Sequence, residues 1–179
     1  MSQWANRGQV TKTLIGINVL VFLAQFTSKD AVTAYLALYS PNAFTAPWTL
    51  ITSGFAHADW LHILLNMYSL WIFGEAIENY LGSKRYIWLY LLSILGGSLA
   101  FVLIDPTGLV VGASGGIFGL MGAYFVIIRA LGFRSSQMLG LIVINVVVSF
   151  AYPNVAIAAH MGGLVTGAIV AWYFTKVRR

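Results

Sequence analysis

Cysteine is absent from this 179-residue chain, and charge is nearly so: Asp, Glu, Lys and Arg together make up 8% of it. The first absence excludes disulfides, thiolate metal sites and cysteine nucleophiles. The second excludes a water-facing globular surface, which carries about 25% charged residues. A disordered chain is excluded as well, because 59% of the residues are hydrophobic. The length suits a single domain over 1–179. Six membrane helices of roughly 20 residues would take about 120 positions and leave about 59 for loops and tails. No separate soluble domain is expected.

What is present is a series of apolar runs, at about 11–27, 60–80, 86–104, 114–131, 137–152 and 157–175. Each is long enough, or nearly so, to cross a bilayer as a helix. The first has a basic flank, Arg7 and Lys12, as a signal peptide does. Ala24-Gln25-Phe26 is a poor cleavage site, so an uncleaved first helix is expected. The fold class expected is therefore an all-α membrane protein, a bundle of six transmembrane helices.

The net charge of +5 raises the question of nucleic acid, which needs a clustered basic face. The positions answer it. Arg7, Lys12, Lys84, Arg85, Arg129, Arg134, Lys176, Arg178 and Arg179 all fall on one side of a six-span topology, nine of the ten basic residues, and only Lys29 falls on the other. The positive-inside rule then places both termini in the cytoplasm. Asp30, Asp59 and Asp105 lie outside. The charge encodes orientation in a lipid bilayer, and no nucleic-acid partner is expected.

The connection from about 28 to 59 is too long for a turn and too apolar for a free loop. Trp48, Ile51, Thr52 and Phe55 stand at helical spacing in it, with Pro41 and Pro47 as breaks. Short helices lying in the outer interface are expected. Composition alone leaves open a generic interfacial lid or a functional role.

Ionisable and polar groups within a bilayer are costly and mark function. The second run is preceded by His57 and carries His62 and Asn66, four apart on one helix face. The fourth opens with Gly112-Ala113-Ser114-Gly115-Gly116, and the sixth carries His160 near its start. All three runs go from outside to inside, so these polar residues share one depth in the outer leaflet. His160, Gly163 and Gly167 follow i, i+3, i+7, while Gly115, Gly119 and Gly122 form a second stripe. Small-residue stripes let helix backbones approach closely. If the two meet, His160 comes near Ser114. A serine in hydrogen-bond reach of a histidine is the minimum unit for acyl transfer. The Ser114 amide at a helix N-terminus, with His62 and Asn66, is placed to serve a developing oxyanion. With no acid placed to orient His160, a dyad is favoured over a triad. Against this, a membrane serine commonly bonds its own backbone, a membrane histidine commonly satisfies a carbonyl, and glycines serve packing.

At these residues the sequence resembles the rhomboid family of intramembrane serine proteases. His57-Ala58-Asp59-Trp60-Leu61-His62-Ile63-Leu64-Leu65-Asn66 is similar to the family's second-span motif, and Gly112-Ala113-Ser114-Gly115 to its GxSG nucleophile motif. The segment from Ala159-His160 to Gly167 resembles its sixth-span motif, and Phe73-Gly74-x-x-x-Glu78 also fits. The resemblance covers roughly 10–175. It implies a rhomboid-like bundle of six helices with a long interfacial first loop. Ser114 would be the nucleophile and His160 the base, with His62, Asn66 and the Ser114 amide as the oxyanion site. His57 would support the site and Glu78 would tie the second span to its neighbours. The fifth span would be the mobile helix where substrates enter. Substrates would be single-span membrane proteins cut near the outer face, with no cofactor and no metal, in a bacterial cytoplasmic (inner) membrane. Three positions depart from the pattern: Thr49 stands where an arginine follows the loop tryptophan, Phe118 replaces a tyrosine, and Ile157 replaces an asparagine. Phe118 can still stack on the His160 ring.

Two rival readings remain. A histidine-based zinc protease or metal transporter would use His57, His62 and His160, but the first two are five apart and the intervening acid is Asp59, unlike HExxH. A non-enzymatic channel, or an inactive relative that binds membrane helices, would be expected to show repeat symmetry or to lack the serine or histidine.

Overall fold

The computed structural model describes residues 8–28, 30–151 and 156–177, and side chains within 146–151 are not described. Arg7, Lys29, Arg178, Arg179 and the end of the fifth expected run lie outside the described residues.

Six long helices carry the architecture: α1 (Gln9–Thr27), α4 (Trp60–Leu81), α5 (Ser83–Ile104), α6 (Ser114–Ala130), α7 (Ser136–Ala151) and α8 (Ile157–Lys176). Two short helices, α2 (Ala31–Leu36) and α3 (Thr49–Thr52), lie in the first connection. The boundaries follow local chemistry. Asp59 caps α4 by accepting the His62 N–H at 2.8 Å. Gly82, at φ 81°, ends α4 and lets α5 begin at the next residue. Gly132, at φ 79°, ends α6 in a Schellman arrangement, with Gly132 N–H donating to the Arg129 carbonyl and Phe133 N–H to that of Ile128.

Three helices, α1, α5 and α8, are long and apolar enough to cross a membrane by length and composition, while α6 and the described part of α7 are shorter apolar helices. α4 equals α5 in length, at 22 residues, but carries His62, Asn66, Glu75 and Glu78. Its polar groups are turned inward or paired. Asn66 and Glu78 are buried, and Glu75 meets Lys12 at 3.7 Å. The outward faces are apolar, with Leu20, Phe26, Leu103 and Trp88 exposed. Such a surface suits hydrocarbon rather than water.

α6 lies at the centre. Every residue from Gly115 to Ala123 is buried, so this half of the helix is covered all round. It packs on α4, α5, α7 and α8. α1 runs antiparallel to α4 along a polar seam. Thr11, Asn18 and Gln25 recur every seven residues and are all buried. Glu78 accepts from Val10 N–H (3.0 Å), Thr11 N–H (2.9 Å), Thr11 Oγ1 (2.8 Å) and Ser83 Oγ (2.8 Å). It thereby joins α4 to the starts of α1 and α5.

The first connection does contain short helices, as expected, and also a feature the pattern did not foretell. β1 (Leu38–Tyr39) pairs antiparallel with β2 (Leu109–Val110), Leu38 opposite Val110 and Tyr39 opposite Leu109. Two-residue strands leave no period to read in a sequence. Ser40 N–H donates to the Gly108 carbonyl and Gly112 N–H to that of Ser53, both at 2.9 Å. The first connection is therefore fastened to the segment that leads into α6. Where the arginine of the resembling family is missing, Trp48 is held otherwise: its Nε1 donates to the Tyr35 carbonyl at 3.1 Å and its ring stacks on Tyr35.

Candidate active site

The two glycine stripes meet. A Cβ added to Gly163 would collide with the Gly115 carbonyl, and one added to Gly167 with the Gly119 carbonyl. Gly122 faces the backbone of Leu164 in the same way. With no side chains between them, α6 and α8 run backbone to backbone. The first turns of both helices are thereby brought to one level.

That level holds Ser114 and His160. Ser114 opens α6, and His160 lies in the first turn of α8, with His160 Nε2 and Ser114 Oγ 2.8 Å apart. His160 is 7% exposed. Phe118, one turn into α6, lies parallel to it, with ring centroids 4.2 Å apart and planes 11° apart. A flat stack of this kind removes the rotational freedom of the imidazole and keeps Nε2 aimed at the hydroxyl. The Ser114 N–H belongs to the first turn of α6, where amides have no intrahelical acceptor.

His62 and Asn66 border the same place from α4. A Cβ on Gly112 would stand 2.8 Å from His62 Cε1 and Nε2, so the imidazole edge lies against the Gly112 backbone, two residues before the serine. Gly112 also has φ 130°, a conformation that side chains other than hydrogen rarely adopt. His62 Nδ1 faces the Ala58 N–H at 3.4 Å, which makes Nδ1 the acceptor and leaves the proton of a neutral ring on Nε2. Asn66 Nδ2 donates to the His62 carbonyl at 3.0 Å with one of its two N–H groups.

His57 supports this edge from outside the helices. Its ring meets that of His62 edge-on, with centroids 5.2 Å apart. Burial, reinforced by His62, lowers its pKa to about 4, so the ring is neutral at neutral pH. Its backbone is clamped by α1. The His57 N–H donates to Gln25 Oε1 at 2.9 Å, and Gln25 Nε2 donates to the His57 carbonyl at 3.1 Å. Gln25, like Thr11 and Asn18, has a role that hydropathy alone does not disclose. Their heptad recurrence in an otherwise apolar run was the available signal.

A cavity of about 20 Å³ adjoins Ser114, lined among others by Ser53, Ser98, Gly112 and Gly115. It has room for one water-sized molecule. Among the described residues, no three His, Cys, Asp or Glu side chains form a group able to hold a metal. Glu78 is distant from the serine in the fold, at the opposite end of α4, where it binds the start of α1.

A family model described as the Rhomboid domain matches residues 45–177. The YdcA protein of Bacillus subtilis is 34% identical over 150 residues, covering 80% of this chain and 74% of that protein. Rhomboid protease GluP of the same organism is 33% identical over 132 residues, covering 69% of this chain and 25% of GluP. Rhomboid protein 1, mitochondrial, of Saccharomyces cerevisiae is 29% identical over 182 residues, covering 91% of this chain and 52% of that protein.

Proposed function

The chain belongs to the rhomboid family, and from that premise we propose that it is an intramembrane serine endopeptidase acting through a Ser114–His160 dyad. The observation that carries the proposal is the 2.8 Å approach of His160 Nε2 to Ser114 Oγ. In the reaction, Ser114 Oγ attacks the scissile carbonyl carbon as His160 Nε2 takes the hydroxyl proton. The tetrahedral intermediate carries its negative charge on the former carbonyl oxygen. The Ser114 N–H, the Nε2–H of His62 and the second N–H of Asn66 would stabilise it. Collapse breaks the C–N bond, and the imidazolium returns its proton to the leaving amine. Water, activated by the same imidazole, then releases the acyl group from Ser114. Phe118 holds the ring through both transfers. No metal or other cofactor enters these steps.

The six long helices each cross the membrane in this reading, with both termini in the cytoplasm and the fastened first connection in the outer interface. Substrates are transmembrane proteins with one span, cut near the outer face, where helix-breaking residues free the backbone. They enter beside α7. The membrane is that of a bacterial cytoplasm, although the family also has mitochondrial members.

The test is cleavage of a single-span reporter by the purified protein in vesicles. Ser114→Ala and His160→Ala are each expected to abolish cleavage while the folded protein persists. Labelling of the parent by a fluorophosphonate is expected to vanish in Ser114→Ala. Undiminished cleavage by Ser114→Ala would end the proposal. Orientation is read separately. The native chain has no cysteine, so a membrane-impermeant maleimide should label Thr107→Cys in intact cells and Lys84→Cys only after lysis.

A further inference from the structure

A second cavity lies far from Ser114, at the other end of α6. It lies between the last turns of α6 and α8, has a volume of about 340 Å³, and is walled by Phe125, Val126, Trp172 and Thr175. Arg129 and Lys176 stand at its rim. Both side chains are exposed, and Lys176 Nζ sits 4.1 Å above the Trp172 ring. Among the described residues, no carboxylate lines this cleft. The carboxylates at the same end of the bundle are already engaged, Glu75 with Lys12 and Glu78 with Val10, Thr11 and Ser83.

We propose that this cleft binds the headgroup of an anionic phospholipid, with its phosphate between Arg129 and Lys176. Charge complementarity selects an anion. The C-terminal helix ends on which the cleft is built disfavour one, and a basic side chain in each last turn, Arg129 and Lys176, offsets this. The walls select a lipid over a free anion. Trp172 presents an exposed aromatic ring near the C-terminal end of α8, and such rings concentrate at the headgroup level of membrane helices. From it, the exposed Val165, Ile169 and Trp172 fall on one face of α8, at i, i+4 and i+7, and lead away from the cleft toward the middle of the bundle. An acyl chain attached to a phosphate in the cleft can lie along that face, and a solvated phosphate gains nothing from it. Basic pockets between transmembrane helices at the positively charged end are the recurrent form of such sites.

The inference rests on residence in a membrane and not on the peptidase reading. Its experiment therefore uses Ser114→Ala protein and reads lipid rather than cleavage. Protein purified in detergent is mixed with phosphatidylglycerol or phosphatidylcholine, and bound lipid is counted by native mass spectrometry. Retention of phosphatidylglycerol over phosphatidylcholine is expected. Each cation near a membrane surface contributes about a fivefold factor in affinity for anionic lipid. The double variant Arg129→Gln/Lys176→Gln should thus lose about twentyfold or more of that preference. The variant Lys12→Gln/Lys84→Gln, with the same change in net charge, should keep it. Equal retention by the first variant and the parent would overturn the proposal. So would an equal loss in both variants, which would mark unspecific attraction. Displacement of phosphatidylglycerol by inorganic phosphate alone would overturn the lipid as occupant.

Discussion

The backbone of Gly163 rests on the carbonyl of Gly115 with no space between them for a methyl group. This contact sets the height of α8 against α6, and with it the distance from His160 to Ser114. Elsewhere in a helix, Gly→Ala stabilises by about 1 kcal/mol. Here the sign is expected to reverse. Gly163→Ala should lower stability by about 1–3 kcal/mol through overpacking and should reduce cleavage further by moving the dyad apart. Gly16→Ala, at a position where an added Cβ meets nothing within 4 Å, should be neutral or stabilising. Thermal unfolding in detergent distinguishes the two.

Removal of an oxyanion donor acts on turnover. His62→Ala and Asn66→Ala should each reduce kcat by a factor corresponding to about 2.7–4 kcal/mol, with a much smaller change in KM. A matching rise in KM with kcat preserved would make them substrate-binding or structural residues. Gly112→Ala should join them, because the added Cβ meets the His62 ring at 2.8 Å and φ 130° suits glycine.

Glu78 should affect stability without chemistry. It is 3% exposed and accepts four hydrogen bonds. Glu78→Ala leaves those buried donors unmet, at a cost of at least about 3 kcal/mol. Glu78→Gln should lie between parent and Ala, because its amide nitrogen faces donors. Fluorophosphonate labelling per folded molecule is expected to stay constant across the series, as the site is at the other end of the helix.

Acid should weaken the fold through His57. Its folded pKa is about 4, below the ordinary 6.5, chiefly from burial and then from His62, opposed by the Phe55 backbone and then by Asp59. Between those values the unfolded chain binds the proton and the folded one does not. The stability that the neutral ring permits is complete above pH 6.5, declines as pH falls toward 4, and is gone below. The melting temperature of the parent should drop across that window, and the slope for His57→Gln should be shallower. Identical slopes would assign the acid sensitivity to another group.

Much of this molecule was legible beforehand, because in a chain so poor in charge every polar residue must have a reason. Scarcity exposed the helical runs, the polar residues of α4, α6 and α8, and the glycine stripes, since helical spacing alone states which residues share a face. The β1–β2 pairing, the Gln25 clamp on His57 and the cleft at Arg129 and Lys176 were not legible. Each joins segments far apart in the chain, through backbone groups or through helix ends whose neighbours no period records.

The sequence by itself determined the solvent of this protein, its helical class and the candidates for chemistry, because hydropathy and helical period are local properties. Only the tertiary structure decided that Ser114 and His160 meet at 2.8 Å with Phe118 flat against the imidazole. That distance depends on backbone-to-backbone contact between two helices, and steric fit is a property of the pair that neither strand of sequence holds alone.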